Sequence, residues 1–117
     1  MGITYVEGTV VGPGGAQASV KFLVDSGATY TVLPLEVWQA IGLAPRRSIE
    51  LRLADGTAIE RKVSECQIRL PLGEGHTPVI LGEQNDQALL GVVTLEVLGF
   101  ILNPLTRELQ PMQMLLA

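Results

Sequence analysis

The sequence is poor in the residues on which several classes of protein depend. It has one cysteine, Cys66, and one histidine, His76, which excludes an internal disulfide and a zinc site built from several Cys and His ligands. The 8 Lys and Arg residues are scattered and outnumbered by 12 Asp and Glu residues, so no positive face is expected to bind nucleic acid. Only 17% of the 117 residues are charged.

Long hydrophobic runs are missing as well. The most apolar stretch, Ala88–Leu102, is interrupted by Thr94, Glu96 and two glycines, which makes it too short and too broken to span a bilayer. The first residues, Met1–Tyr5, lack the basic start and apolar run of a signal peptide. We therefore expect a soluble, cytoplasmic protein with no membrane partner, and the single cysteine fits a reducing compartment.

Apolar residues, by contrast, occupy 47% of the positions. A chain of 117 residues has room for one core, so we predict a single domain over residues 1–117. A small domain with so few charges on its surface is expected to bury part of that surface against a partner. A second copy of the same chain is the commonest such partner.

Alternating apolar and polar residues predict strands over most of the chain. Asp55-Gly56 between two alternating segments is the strongest short-range hairpin signal, and Gly73-Glu74-Gly75 predicts a further turn. Two short helices are predicted, one from Pro34 to Gly42 and one over Val92–Leu98. The predicted strands are Ile3–Val11, Ala16–Val24, Tyr30–Leu33, Ile49–Ala54, Thr57–Leu72, Pro78–Leu81, Ala88–Leu90 and Phe100–Leu102.

One of the three aspartates differs from the others in its surroundings. Asp55 falls in a turn and Asp86 in a polar loop, where a carboxylate is freely solvated. Asp25 directly follows the apolar residues Phe22–Val24 and precedes Ser26-Gly27, so a strand carries a carboxylate into a tight turn of small residues. Burying a carboxylate costs several kcal/mol unless hydrogen bonds or a partner compensate for it, which suggests a function for Asp25.

On their own, Asp25-Ser26-Gly27 are more typical of an ordinary polar turn between two strands than of a functional site. A second segment, Leu89-Leu90-Gly91, favours the functional interpretation, since it lies downstream with a β-hairpin between the two. Both segments occur in the order that one known fold requires.

In that order the chain resembles a retropepsin-like aspartic protease, closer to the cellular and bacterial members than to the viral ones. The resemblance covers nearly the whole chain. The segments that carry it are Phe22–Thr29, Val32–Pro34, Leu53–Thr57, Ala88–Gly91 and Ile101–Pro104.

The resemblance implies an all-β, closed barrel of the acid-protease type with a single lobe, which pairs about a two-fold axis as a homodimer. Each chain would supply one Asp25 to a shared site, where two carboxylates about 3 Å apart share one proton. One carboxylate would act as base towards a water molecule and the other as acid towards the scissile carbonyl of a peptide. This chemistry implies no metal and no other cofactor.

The resemblance also assigns roles to individual residues. Asp25 would be catalytic, and the hairpin would fold over the cleft as a flap. The active-site loop would comprise Ser26, Gly27, Ala28 and Thr29, the Ser26 hydroxyl reaching across to the partner loop. The substrate-binding tip of the flap would comprise Ala54, Asp55, Gly56 and Thr57. Structural support of the site would come from Leu90 and Gly91.

The chain also departs from the viral pattern. Viral members pair an Arg that begins the last helix with an Asp beyond the catalytic loop, and here those positions hold Val92 and Thr29. The flap tip lacks their glycine-rich run. Two other functions therefore stay open: a dimeric peptide-binding module with little or no turnover, and a chain that forms half of a heterodimer.

The remaining conspicuous residues have simpler interpretations. We expect His76 in a solvated loop, Cys66 and Trp38 in packing roles, and Arg61-Lys62 on a solvated flank of the flap. The apolar tail, residues 112–117, is compatible with a disordered end or with a strand at a dimer interface.

Overall fold

The computed structural model describes residues 3–113, and the chain within this range forms nine strands and two short helices. The mainly β composition with two short helices confirms the sequence prediction. The strands are β1 Tyr5–Val11, β2 Gln17–Val24, β3 Thr31–Leu33, β4 Arg47–Arg52, β5 Ala58–Leu70, β6 Gly73–Leu81, β7 Leu89–Leu90, β8 Phe100–Leu102 and β9 Leu109–Pro111. The helices are α1 Leu35–Ala40 and α2 Val92–Leu98.

Seven strands form one mixed sheet in the order β1-β2-β7-β3-β6-β5-β4. An additional pairing of β1 with β5 joins six of them into a ring and leaves β4 outside it, paired with β5 alone. The pairs β2–β7 and β3–β6 are parallel, and the others are antiparallel. Where a closed barrel was expected, the structure has a ring of paired strands within a mixed sheet.

The alternation predicted for β2 determines how this strand packs. Val20, Phe22 and Val24 are buried, whereas Lys21 is exposed and Leu23 is half-buried. Because successive side chains of a strand point to opposite faces, the three buried residues lie on one side and join the core. Other members of that core are Val10, Leu33, Ile68, Val79 and Leu90.

The turn predicted at Gly73–Gly75 is wrong, because these residues begin β6. The chain turns two residues earlier, at Pro71-Leu72, and Leu70 pairs with Gly73. A Cβ on Gly73 would lie 3.1 Å from Cζ of Phe100, and one on Gly75 would lie 3.0 Å from Cδ2 of Leu98. The two glycines therefore allow α2 and β8 to pack closely against β6.

Helix α1 lies where proline and glycine predicted it. It begins after Pro34 and ends before Gly42, whose φ of 75° is favourable for glycine. Trp38 has the packing role expected of it, since it is partly buried against the hydrophobic core. Its indole N–H also donates to the Gly82 carbonyl at 2.8 Å, just after the end of β6.

No helix within residues 3–113 is long and apolar enough to cross a membrane. Most of the tail, residues 114–117, lies outside the described residues, so its two interpretations stay open.

Candidate active site

Backbone hydrogen bonds hold Asp25 at the end of β2. Strand β7 runs parallel to β2, with Leu23 paired to Leu89 and Val24 to Leu90. The Asp25 amide donates to the Leu90 carbonyl at 3.1 Å, and the Val24 amide donates to the Thr4 carbonyl at 2.8 Å. Leu90, which is fully buried, thus supports the start of the loop through its main chain.

The loop after Asp25 orients the carboxylate towards the surface. Oδ1 of Asp25 accepts a hydrogen bond from the Gly27 amide at 2.9 Å, and the Asp25 carbonyl accepts one from the Ala28 amide at 3.1 Å. Asp25 is half-buried, while Ser26 and Gly27 are exposed. The carboxylate is thereby fixed in direction and still accessible to water, substrate or a second chain.

Helix α2 braces the far side of the same loop. The first amides of a helix have no partner within it. Here the Val92 amide donates to the Ala28 carbonyl at 2.8 Å and the Val93 amide to the Thr29 carbonyl at 3.0 Å. A Cβ on Gly91 would lie 2.5 Å from the Tyr30 carbonyl carbon, so the helix can approach this closely only with glycine there.

The predicted loop and its predicted support therefore meet in one place. Thr29 and Val92, where viral members have an ion pair, lie in adjoining segments that backbone hydrogen bonds join. In this chain the connection between helix and loop does not require the two charges.

A buried cluster of three threonines, which the sequence pattern did not predict, lies beneath the loop. Thr94 of α2 forms hydroxyl hydrogen bonds with Thr31 at 2.6 Å and Thr77 at 2.8 Å, and the Gly91 amide donates to Oγ1 of Thr31 at 3.0 Å. All three threonines are at most 2% exposed. The sequence pattern that could have predicted the cluster is the presence of a threonine at the buried position of a mostly apolar segment in each case.

We expect Thr94→Val to destabilise the protein by about 2 to 3 kcal/mol, because it leaves the hydroxyls of Thr31 and Thr77 without their shared partner in the core. Valine has nearly the shape of threonine, so lost packing contributes little. The measurement is urea unfolding, with Thr9→Val on β1 as the control and Thr94→Ser as the variant that restores stability. Equal losses in Thr94→Val and Thr9→Val would contradict the role of the cluster.

The hairpin of β4 and β5, for which the role of a flap is predicted, extends from the ring. Residues 58–61 of β5 pair with β4 alone, since the pairing with β6 begins at Lys62. At the tip, the Leu53 amide donates to the Thr57 carbonyl at 2.8 Å, which closes a three-residue loop with Gly56 at φ 90°. The predicted Asp55-Gly56 hairpin is confirmed.

A cleft of about 220 Å³ separates the inner face of the hairpin from β3 and β7. Leu89 in its wall pairs with Leu23, two residues before Asp25, but Asp25 itself does not line the cleft. The predicted tip residues 54–57 are exposed and do not line it. The lining residues are Val32, Leu51, Leu53, Ile59, Arg61, Ile80, Asp86, Gln87 and Leu89.

The carboxylate of Asp55 stabilises the flap tip. The Thr57 backbone amide donates to Oδ1 of Asp55 at 2.8 Å. This bond, with a smaller contribution from the Thr57 side chain, holds the pKa of Asp55 below its ordinary value. The contribution of this contact to the stability of the fold is therefore complete at pH values above the ordinary pKa of an aspartate. It is lost as the pH falls through the lowered pKa of Asp55.

We expect an NMR titration of the Asp55 carboxyl group to have its midpoint below that of a linear peptide with the sequence of residues 53–58. The Thr57 amide resonance should move with the same midpoint, because the amide loses its acceptor on protonation. A midpoint equal to that of the peptide would contradict the contact.

The single cysteine and histidine take no part in this arrangement. Burial, with a smaller contribution from the charge of Glu65, raises the pKa of Cys66 to about 12, which leaves the thiol protonated at neutral pH. His76 is exposed, as expected, but it lies on β6 opposite Gln67 rather than in a loop.

A mainly β domain that presents Asp-Ser-Gly at a strand end, braced by a Leu-Leu-Gly segment, and that carries a projecting β-hairpin has the features of an aspartic peptidase. The family model described as gag-polyprotein putative aspartyl protease matches residues 15–97. This match covers more than half of the chain, which therefore belongs to that retropepsin-like family, and the resemblance of the sequence is confirmed. No curated protein sequence matches the chain.

Proposed function

We propose that the chain is an aspartic endopeptidase that acts as a homodimer, with one Asp25 from each chain in a shared active site. The observation that carries this proposal is the Asp25 loop, which is fixed by β7 and α2 while its carboxylate stays accessible. Membership of an aspartyl protease family supports it.

The chemistry requires a second carboxylate that the chain does not offer at this loop. Acid and base catalysis by carboxylates needs one protonated and one ionised group, and two carboxylates about 3 Å apart share one proton. Asp55 lies at the flap tip, and Asp86 accepts the Glu83 amide at 2.6 Å in another loop. A two-fold axis beside Asp25 would supply the missing partner in the same geometry.

In the proposed reaction the ionised Asp25 takes a proton from a water molecule held between the two carboxylates. The oxygen of this water attacks the scissile carbonyl, which the protonated Asp25 of the second copy polarises. The Ser26 hydroxyl, exposed beside Asp25, would donate across the axis and hold the two loops together.

The substrate would bind as an extended strand beneath the flap and pair through its main chain. The aliphatic residues of the cleft, among them Val32, Leu51 and Leu89, would receive an apolar side chain next to the scissile bond. The tip residues 54–57 would close over the peptide from the solvent side.

The test is cleavage of a mixed peptide library between about pH 4 and pH 7, the range in which a carboxylate pair can share a proton. Specific activity should fall on dilution in step with dissociation of the dimer, as followed by sedimentation. Full activity of a monomer, or a stable dimer without cleavage at any pH in the range, would contradict the proposal.

A peptide-binding module without turnover is the second candidate, favoured by the absence of the viral ion pair at Thr29 and Val92. It predicts that peptides bind equally well to the wild type and to Asp25→Ala and that neither protein cleaves them. The third possibility, half of a heterodimer, predicts a monomer in sedimentation experiments on the isolated chain.

A further inference from the structure

The inner face of the flap carries a half-buried charged side chain, Arg61, among aliphatic ones. On β5, Ile59 and Arg61 are half-buried and Val63 is buried, whereas Glu60 and Lys62 are exposed. Arg61 pairs across the hairpin with Ile49, and it lines the cleft together with Ile59. The expectation that Arg61 and Lys62 share a solvated flank is thus wrong for Arg61, because alternation along the strand sends it inward.

The contacts that the Arg61 guanidinium forms within the described residues are long, and both use the same nitrogen, Nη1. Its side chain is only 25% exposed, yet its ion pair with Glu83 is long, at 3.5 Å, and the side chain of Glu83 is 72% exposed. Its hydrogen bond to the Glu60 carbonyl is also long, at 3.3 Å. A guanidinium has five N–H donors, and burying it beside apolar groups is costly unless an anion pairs with it.

The carboxylate of Asp86, on the wall of the same cleft, has another partner. Its Oδ2 accepts the backbone amide of Glu83 at 2.6 Å, which ties it to the loop between β6 and β7. Within the described part of the chain, the ion pair that Arg61 forms is with Glu83 and not with Asp86. The donors of Arg61 therefore remain available to a ligand in the cleft.

We propose that Arg61 determines specificity by binding an acidic side chain of the substrate. The preferred peptide would place Asp or Glu beside the apolar residue that fills the rest of the cleft. An incoming carboxylate can replace the long, exposed contact with Glu83 by a bidentate, charge-assisted pair in a partly dry cleft. This proposal rests on the proposed function, and the two-fold axis would repeat the preference on both sides of the scissile bond.

The experiment uses the inactive Asp25→Asn chain to measure binding apart from cleavage. Fluorescence anisotropy would compare peptides that carry Glu, Gln or Lys at each position in turn. At one position on each side we expect Glu to bind about 10- to 100-fold more tightly than Gln. The wild type should show the same ratio in kcat/KM.

Variants at three positions test the assignment of this preference to Arg61. In Arg61→Met the ratio of Glu to Gln peptides should fall to about 1, whereas Arg61→Lys should keep part of it. Lys62→Met, on the exposed face of the same strand, is the matched control and should keep the full ratio. Glu83→Gln should raise the ratio, because it removes the competing carboxylate. Urea unfolding of each variant checks that it is folded, and Arg61→Gln serves as the second variant if Arg61→Met is not.

The outcomes separate this proposal from the proposed function. Cleavage with equal rates for Glu and Gln peptides would overturn the acid-binding role of Arg61 and leave the peptidase intact. A Glu preference that Arg61→Met removes, in a wild type that cleaves nothing, would overturn the peptidase and support the role of Arg61. A preference for Lys would overturn the proposal in favour of Asp86, and a Glu preference that survives in Arg61→Met would overturn it as well.

Discussion

Replacing Asp25 with Asn is expected to lower peptide hydrolysis by at least about 10⁴-fold, since the change removes both carboxylates of the proposed dimer at once. Asparagine has nearly the same shape, and its side-chain oxygen can still accept the Gly27 amide that Asp25 binds at 2.9 Å. Folding should therefore change little. The measurement is the initial rate of cleavage at saturating peptide, with the unfolding curve recorded on the same sample.

A mixing experiment shows whether the two carboxylates act together. When wild-type and Asp25→Asn chains exchange freely in equal amounts, about a quarter of the dimers keep two carboxylates. Activity per total chain should therefore fall to about a quarter of the wild-type value, whereas chains that act singly would retain about half. Glu74→Gln, on the exposed Arg69–Glu74 ion pair, is a charge-matched control whose mixture should keep full activity. An active Asp25→Asn protein would exclude the proposed mechanism.

The features that sequence predicted well depend on residues close together in the chain. The alternation of Val20, Phe22 and Val24 determines which face of β2 is buried, whatever lies against it. Asp55-Gly56 forms its hairpin with bonds that span only five residues, from Leu53 to Thr57. The position of Asp25 at the end of β2 follows from the same local pattern.

The features that sequence did not predict depend on distant segments. Gly73 and Gly75 carry the signal of a turn, yet they allow close packing by Phe100 and Leu98, more than twenty residues later. Alternation puts Arg61 and Lys62 on opposite faces of β5, but it does not say which face meets the cleft, because that depends on the rest of the ring. The hydroxyl contacts of Thr94 were hidden for the same reason, since they join α2 to β3 and β6.

Gly91→Ala is expected to destabilise the protein by about 3 kcal/mol and to lower its melting temperature by roughly 10 °C. The backbone of Gly91, with φ of −94° and ψ of 173°, is open to any residue, so the effect comes from space alone. The added Cβ would lie 2.5 Å and 2.6 Å from the carbonyl carbon and oxygen of Tyr30 and 2.9 Å from the carbonyl oxygen of Thr29. These are backbone atoms, which cannot rotate away as a side chain could.

Relief of this clash requires α2 to separate from the Asp25 loop, which weakens the bonds from Val92 to Ala28 and from Val93 to Thr29. Gly91→Ala should therefore lose peptide hydrolysis even well below its melting temperature, because Asp25 is no longer held at the surface in its native direction. Gly14→Ala is the matched control, since its Cβ would meet nothing within 4 Å and its φ is not positive. This control should melt within about 2 °C of the wild type and keep its activity. Equal melting temperatures for the two variants would show that α2 does not brace the loop through this contact.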